Sequence, residues 1–257
     1  MTVNKINLNS DFAERNIEFF QTVDMPLMAN INSANISCLY HGGLEKVVQK
    51  AVSECRKNNI SIGAHVSFFD KENFGRVELG WTEHSIKVLI QDQIKFLDKI
   101  CNSQDISITH LKPHGALNNM ACKDPILAKV IVTYLKNNFP ELIILAPALS
   151  ELAKASQKIG LKTALEIFAD RTYEDDGTLT SRYKKNSLIT NPREVTNHLR
   201  NMFEKKAIIT RTGKVLPTLF DSVCLHSDTP NSVQISNEIC SLLKSMGMKQ
   251  KKLTDLF

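Results

Sequence analysis

The sequence predicts an α/β protein, a parallel sheet covered by helices, built as either an open doubly wound sheet or a closed barrel. Two patterns predict it. Seven short apolar runs rich in β-branched residues alternate with longer stretches of helical period, and no linker rich in Gly, Pro or Ser divides the 257 residues. One domain over 1–257 is expected.

The runs, each too brief for a helix, fall at 6–11, 35–41, 60–65, 106–112, 142–147, 163–170 and 222–226. After the second, apolar residues at Leu44, Val47, Val48, Ala51, Val52 and Cys55 make the stripe of a helix packed on one side. Further stripes lie at 83–101 and 149–159, the latter ended by Gly160. Asp124-Pro125, Asn191-Pro192 and Thr229-Pro230 each set a capping side chain before a proline, which predicts three more helix starts. Residues 208–217 break the alternation and read as a hairpin turning near Thr212-Gly213.

Composition excludes several classes. With 42% apolar and 23% charged residues, 10 Gly and 8 Pro, and no repeat, the chain is neither disordered nor fibrous. The formal charge of +5 is spread in short lysine doublets rather than gathered on one arm, so no nucleic-acid partner is expected. Six cysteines without C-x-x-C spacing read as reduced and structural. The N-terminal MTVNKINLNSD lacks an apolar export core, and no membrane span is expected, which places the protein in the cytoplasm.

Chemistry collects at the ends of the runs. Asp11, His41, His65, His110, Lys112, His114, Asp170, Arg171, His226 and Asp228 all stand at or just past them, including five of the seven histidines. In parallel α/β folds active sites form at that edge. His84 and His198 lie in helical patterns and are expected to be solvated. In His110-Leu111-Lys112-Pro113-His114-Gly115, alternation puts His110 and Lys112 on one face, and Pro113 and Gly115 make a stiff turn that aims His114. Arg76, in a polar loop after Gly63-Ala64-His65, can grip a carboxylate or phosphate. The close H-x-x-x-H spacing of a strong zinc motif is absent, so no tightly bound metal is expected. Neither a Walker-type nor a dinucleotide-binding glycine loop is present.

Read together, INLNSDFAE (6–14), SANISCLYHGG (33–43), GAHVSFFDKENFGR (63–76), HLKPHGALNN (110–119), EIFADRTYEDDGTLTSR (166–182) and VCLHSDTP (223–230) resemble the LamB/YcsF family, known as the A subunit of 5-oxoprolinase. The resemblance implies a seven-stranded (β/α) barrel variant, similar to the glycoside hydrolase and polysaccharide deacetylase barrels. It implies ATP-dependent opening of 5-oxo-L-proline to L-glutamate, with Mg2+-ATP as cofactor and two partner subunits, B and C. Strand-end position and resemblance together nominate Asp11, His65, Lys112, His114 and Asp170 as catalytic. Asn9, Asn35, His41, Arg76, Glu166, Arg171 and His226 are nominated for substrate binding. Lys112→Ala is expected to abolish turnover with the fold intact. Asn7, Ala13, Leu44, Val66, Phe69, Asn118 and Ser227 depart from the family pattern, and at Asn7 and Leu44 a carboxylate is lost. The alternatives are a metal-dependent deacetylase or hydrolase, and a binding protein that has drifted from catalysis.

Overall fold

The computed structural model describes residues 5–257; residues 1–4, the start of the segment read above for an export signal, lie outside the described residues. Strand β1 (Lys5–Phe12) leads through α1 (Ile17–Phe19), a π-helical turn Phe20–Asp24 and α2 (Met25–Met28) to β2 (Ser33–Ser37). Next come α3 (Glu45–Lys57), β3 (Ser61–Val66), α4 (Glu83–Asn102), β4 (Ile108–Pro113), α5 (Gly115–Lys123), α6 (Pro125–Asn138), β5 (Ile143–Pro147) and α7 (Glu151–Lys158). The chain finishes with β6 (Thr163–Phe168), α8 (Pro192–Lys205), the β7–β8 hairpin (Ala207–Ile209, Val215–Pro217), β9 (Ser222–Cys224), α9 (Ser232–Ser245), β10 (Lys249–Gln250) and a 3-10 turn, Leu253–Asp255.

Strands β1 to β6 pair in sequence order, β6 pairs with β9, and β9 returns to β1, every pairing parallel. Of the two architectures the alternation allows, the closed seven-stranded barrel is the one observed. Residues of one strand parity, among them Ile6, Leu8, Ile36, Ile62, Ala64, Leu111, Ile144 and Val223, pack against α3, α4, α6, α8 and α9 in one continuous apolar core.

The opposite parity fills the barrel, and on β1 to β4 it is polar. Asn7, Asn9 and Asp11 of β1, Ser33, Asn35 and Ser37 of β2, His65 of β3 and His110 and Lys112 of β4 are all buried. Barrels of this class ordinarily fill with branched aliphatic side chains. Here hydrogen bonds replace them: Asn7 bonds Ser33 and Ser222, and Asn9 bonds Glu166 and Ser222. The lower end is closed by the C-terminal segment, where Leu253 packs on Ile143, Leu145 and Ala164, and Asn7 donates to the Lys251 carbonyl. Asn7 therefore serves the base of the barrel, away from the opposite mouth.

Several elements differ from the sequence reading. Strand β2 ends at Ser37, not 41, because Leu39 takes a left-handed φ of 68°, and His41 rides the loop beyond it. Helix α9 begins at Ser232, since Asn231 before it has φ 64°, and the Thr229 hydroxyl bonds Asp170 instead of capping a helix. Helix α5, the α1–α2 segment and β10 have no counterpart in the sequence reading. His198 is not solvated: its ring stacks on Tyr173 with a centroid separation of 6.2 Å, and its Nε2 is buried.

Leu44 is the N-cap residue of α3, with extended φ and ψ of −133° and 141° and no side-chain cap. An aspartate here would accept the first free N–H groups of that helix. We expect Leu44→Asp to raise stability by about 0.5–2 kcal/mol, read as a shift in urea midpoint. An unchanged midpoint would refute the capping role.

Candidate active site

At the C-terminal ends of the barrel strands lies a cavity of about 870 Å3, whose floor carries Asp11, Glu14, His65, Lys112 and His114. Parallel pairing explains the convergence. Asp11 stands beside Asn35, Asn35 beside Gly63, Gly63 beside His110, and His65 beside Lys112 across β1 to β4.

Lys112 is the centre of the floor. Its Nζ lies 3.0 Å from Asp11 Oδ1, 3.2 Å from Glu166 Oε1 and 3.1 Å from Cys224 Sγ, and 5.4 Å from the centre of the Phe168 ring. Burial opposes its charge, but Asp11, Cys224 and Glu166 overcome that and hold the ammonium well above its usual range. Burial likewise opposes the Asp11 carboxylate, and His65 and Lys112 hold it well below the usual range. Glu166 is pushed up, because burial outweighs its contact with Lys112.

Beside this group stand Glu14 and three histidines. His65 Nδ1 donates to the Lys112 carbonyl at 3.0 Å, and its Nε2 faces His114 Nδ1 at 3.0 Å. His114 Nε2 donates to the Phe74 carbonyl at 2.9 Å. Glu14 Oε1 lies 3.4 Å from His114 Nδ1 and 3.6 Å from His65 Nε2. His41 stands behind, stacked on His114 at 3.9 Å, with Nε2 at 2.9 Å from Glu14 Oε1 and Nδ1 at 2.8 Å from Ser67 Oγ. Burial raises the Glu14 carboxyl and lowers His41 and His114 well below the ordinary imidazole range. His65 is raised instead: Asp11 and Glu14 outweigh its burial. The turn that aims His114 is held by close backbone contact. A Cβ on Gly115, whose φ is +53°, would lie 2.3 Å from the Gly75 carbonyl oxygen, which accepts from the Ala116 N–H.

The rim is cationic. Asp228 gathers Arg76 at 3.0 Å, Arg15 at 3.7 Å and Arg182 at 3.8 Å, so three guanidinium groups meet one carboxylate. The excess positive charge faces the cavity and suits an anionic ligand. Arg171 also lines the cavity, but it donates to the Thr180 and Ser187 carbonyls and thereby pins the loop after β6.

Asp170 is buried outside the cavity lining and accepts from His226 Nδ1 at 2.9 Å and from the Thr229 hydroxyl. It orients His226, whose ring does line the cavity. Burial opposes the Asp170 charge, but His226 and Thr229 bring its pKa down to about 2. A depressed carboxylate adds stability above its unfolded pKa of about 3.9, and that stability is lost as pH falls through about 2. Wild type should therefore lose about 2–3 kcal/mol relative to Asp170→Asn between pH 5 and pH 2. Parallel pH profiles for the two proteins in denaturant titrations would refute this.

Of the residues nominated from sequence, Asp11, His65, Lys112, His114, Arg76, Arg171 and His226 line the cavity. Asn9, Asn35 and Glu166 stand below it inside the barrel, and His41 behind His114, so these four support the floor instead of meeting a ligand. Asn35 in particular bonds both Asn9 and Asp11. Glu14, Arg182 and Asp228 also line the cavity without having been nominated, and Arg15 reaches Asp228 from outside the lining. Glu14 carries the same signal as Asp11, a carboxylate just past a strand end.

The family model for the LamB/YcsF family matches residues 6–257. A protein of Rhodopseudomonas palustris, named as the A subunit of 5-oxoprolinase, is 36% identical over 244 residues, 95% of this chain and 96% of that protein. One of the same name from Clostridium beijerinckii is 37% identical over 91% of this chain and 92% of its own. Among solved structures, the lactam utilization protein of Thermus thermophilus superposes with a TM-score of 0.87 at 28% identity, covering 96% of this chain and 99% of that one. End-to-end agreement in sequence and in barrel leaves one conclusion: the chain belongs to the LamB/YcsF family.

Proposed function

We propose that this protein is the A subunit of an ATP-dependent 5-oxoprolinase, acting with two partner subunits to hydrolyse 5-oxo-L-proline to L-glutamate. The observation that carries the reading is a cavity with an arginine rim over a floor of paired carboxylates and histidines, in a chain that matches proteins named as 5-oxoprolinase A subunits from end to end. A five-membered lactam acid needs both parts: a cationic clamp for its carboxylate, and proton-transfer groups at its amide. Arg76 and Arg182 serve as the clamp. Asp11 handles protons at the ring, held ionised by Lys112 beneath it, and the cluster of Glu14, His65 and His114 stands beside it.

The lactam amide resists water, so cleavage is coupled to Mg2+-ATP. The lactam oxygen takes the γ-phosphoryl group, water adds to the same carbon, and the ring C–N bond breaks as nitrogen takes a proton. A second water releases phosphate and leaves glutamate. The test is reconstitution with B and C subunits of a 5-oxoprolinase. We expect ATP hydrolysis that depends on 5-oxoproline, with glutamate released in step. A complete complex that shows neither overturns the reading.

A further inference from the structure

We propose that Glu14 Oε1, His65 Nε2 and His114 Nδ1 form a binding site for one divalent transition-metal ion, zinc foremost, with an open coordination position facing the cavity. The argument begins with the outer nitrogens. His65 Nδ1 and His114 Nε2 each give their hydrogen to a backbone carbonyl, of Lys112 at 3.0 Å and of Phe74 at 2.9 Å. Those two bonds leave both inner nitrogens turned toward Glu14 Oε1 and toward each other, with Asp11 Oδ2 at 3.4 Å from His65 Nε2. The inner nitrogens lie 3.0 Å apart, so either a proton or a metal cation lies between them.

The carboxylate completes the set. Glu14 Oε1 lies 3.4 and 3.6 Å from the two nitrogens. With bonds of 2.0–2.1 Å, tetrahedral zinc separates its ligand atoms by about 3.3 Å, and the three observed edges bracket that figure. The surroundings also fit. His41 holds Glu14 Oε1 from behind at 2.9 Å, in the role of the outer partner that orients a ligating carboxylate. His41 itself does not complete the set, because its ring lies nearly parallel to His114, at 12° and 3.9 Å, and no ion sits in both ring planes at that spacing. Two imidazoles and a carboxylate with one position left open is the ligand set of catalytic zinc. All three ligands line the cavity. Sequence spacing conceals the site, since Glu14, His65 and His114 come from the ends of three separate strands.

The assignment does not depend on the lactam reading, because metal uptake is measured on this chain alone, without partners or substrate. The chain is stripped with a chelator, dialysed, and titrated with Zn2+ by calorimetry and with Co2+ by visible absorption. We expect one equivalent per chain and the intense ligand-field bands of four-coordinate cobalt. Glu14→Gln and His114→Gln, each verified as folded by circular dichroism, should weaken binding by at least about 100-fold, and His41→Asn by about 10-fold. The wild-type cobalt spectrum decides independently of any variant. A pale six-coordinate spectrum, or no uptake, overturns the proposal and leaves a proton shared between His65 and His114. Uptake that survives Glu14→Gln and His114→Gln but is lost in His226→Gln assigns the ion to Asp11, Cys224 and His226, and also overturns it.

Discussion

Lys112→Ala should lower stability by about 3–5 kcal/mol as well as abolish glutamate release, because it strips the ammonium group from a buried cluster of acids. The side chain is 4% exposed and touches Asp11 and Glu166 at 3.0 and 3.2 Å. Without it, Asp11 keeps the Asn35 amide and the His65 imidazole, but Glu166 keeps only the Asn9 amide on one oxygen, and its other oxygen has no partner. From sequence alone the fold is expected to survive this substitution intact. Position at a strand end signals chemistry, but not that the barrel interior below it is polar and sealed. A double-mutant cycle separates the two effects. In Lys112→Ala/Glu166→Gln the stranded carboxylate is gone, so the pair should be about 1–3 kcal/mol more stable than the sum of the single changes. Additive values in urea titrations, or a Lys112→Ala protein as stable as wild type, would overturn this account.

The alternation of strands and helices is legible because each strand has one face against the helices, and that face is apolar in nearly every run. Ile6 and Leu8, Ile62 and Ala64, or Ile144 and Ala146 announce themselves by composition. Closure into a barrel is not legible from alternation, since the pairing of β9 with β1 joins residues more than 200 positions apart. Helix α5 escapes because its residues, GALNNMACK, mix glycine and two asparagines with few apolar positions; contacts with α6, α7 and β4 hold it instead. The false helix start at Thr229-Pro230 shows the limit of local chemistry. Thr229 has the hydroxyl of a cap, but Asp170 from another strand takes it.

The site is legible for a related reason. Asp11, His65, Lys112 and His114 stand where loops begin, and a charged residue there has no ordinary packing role. What stays hidden is direction. Asn9 and Asn35 alternate with apolar neighbours just as Asp11 does, and only the depth at which each sits distinguishes a residue that meets the cavity from one that supports it. The loss of a carboxylate at Asn7 loses its force on the same ground, since that side chain is committed to Ser33, Ser222 and the Lys251 carbonyl at the closed end.

Depth also explains a glycine inside a strand, where it would otherwise weaken the sheet. Gly63 sits in register between Asn35 and His110, and the His110 ring passes over it to reach Asn35 Oδ1 at 2.9 Å. A Cβ on Gly63 would lie 2.2 Å from that ring. The ring cannot step aside easily, because its other nitrogen is held by the Thr109 hydroxyl at 2.8 Å. Burial and the neighbouring Lys112 push His110 down to about 3, so it remains a neutral bridging group at any working pH. Gly63→Ala should therefore cost about 1–3 kcal/mol through overpacking. It should also lower turnover, since Asn35 is the amide that steadies Asp11 Oδ1 at 2.8 Å. His110→Ala alone opens a hole and strands Asn35 Oδ1, and should be destabilising too. Combined, the new methyl group occupies part of the space left by the ring, so Gly63→Ala/His110→Ala should be more stable than the two single losses add up to, by about 1 kcal/mol or more. Strict additivity in denaturant titrations would mean that the ring and the glycine do not share that space, and that the bare backbone at position 63 needs another reason.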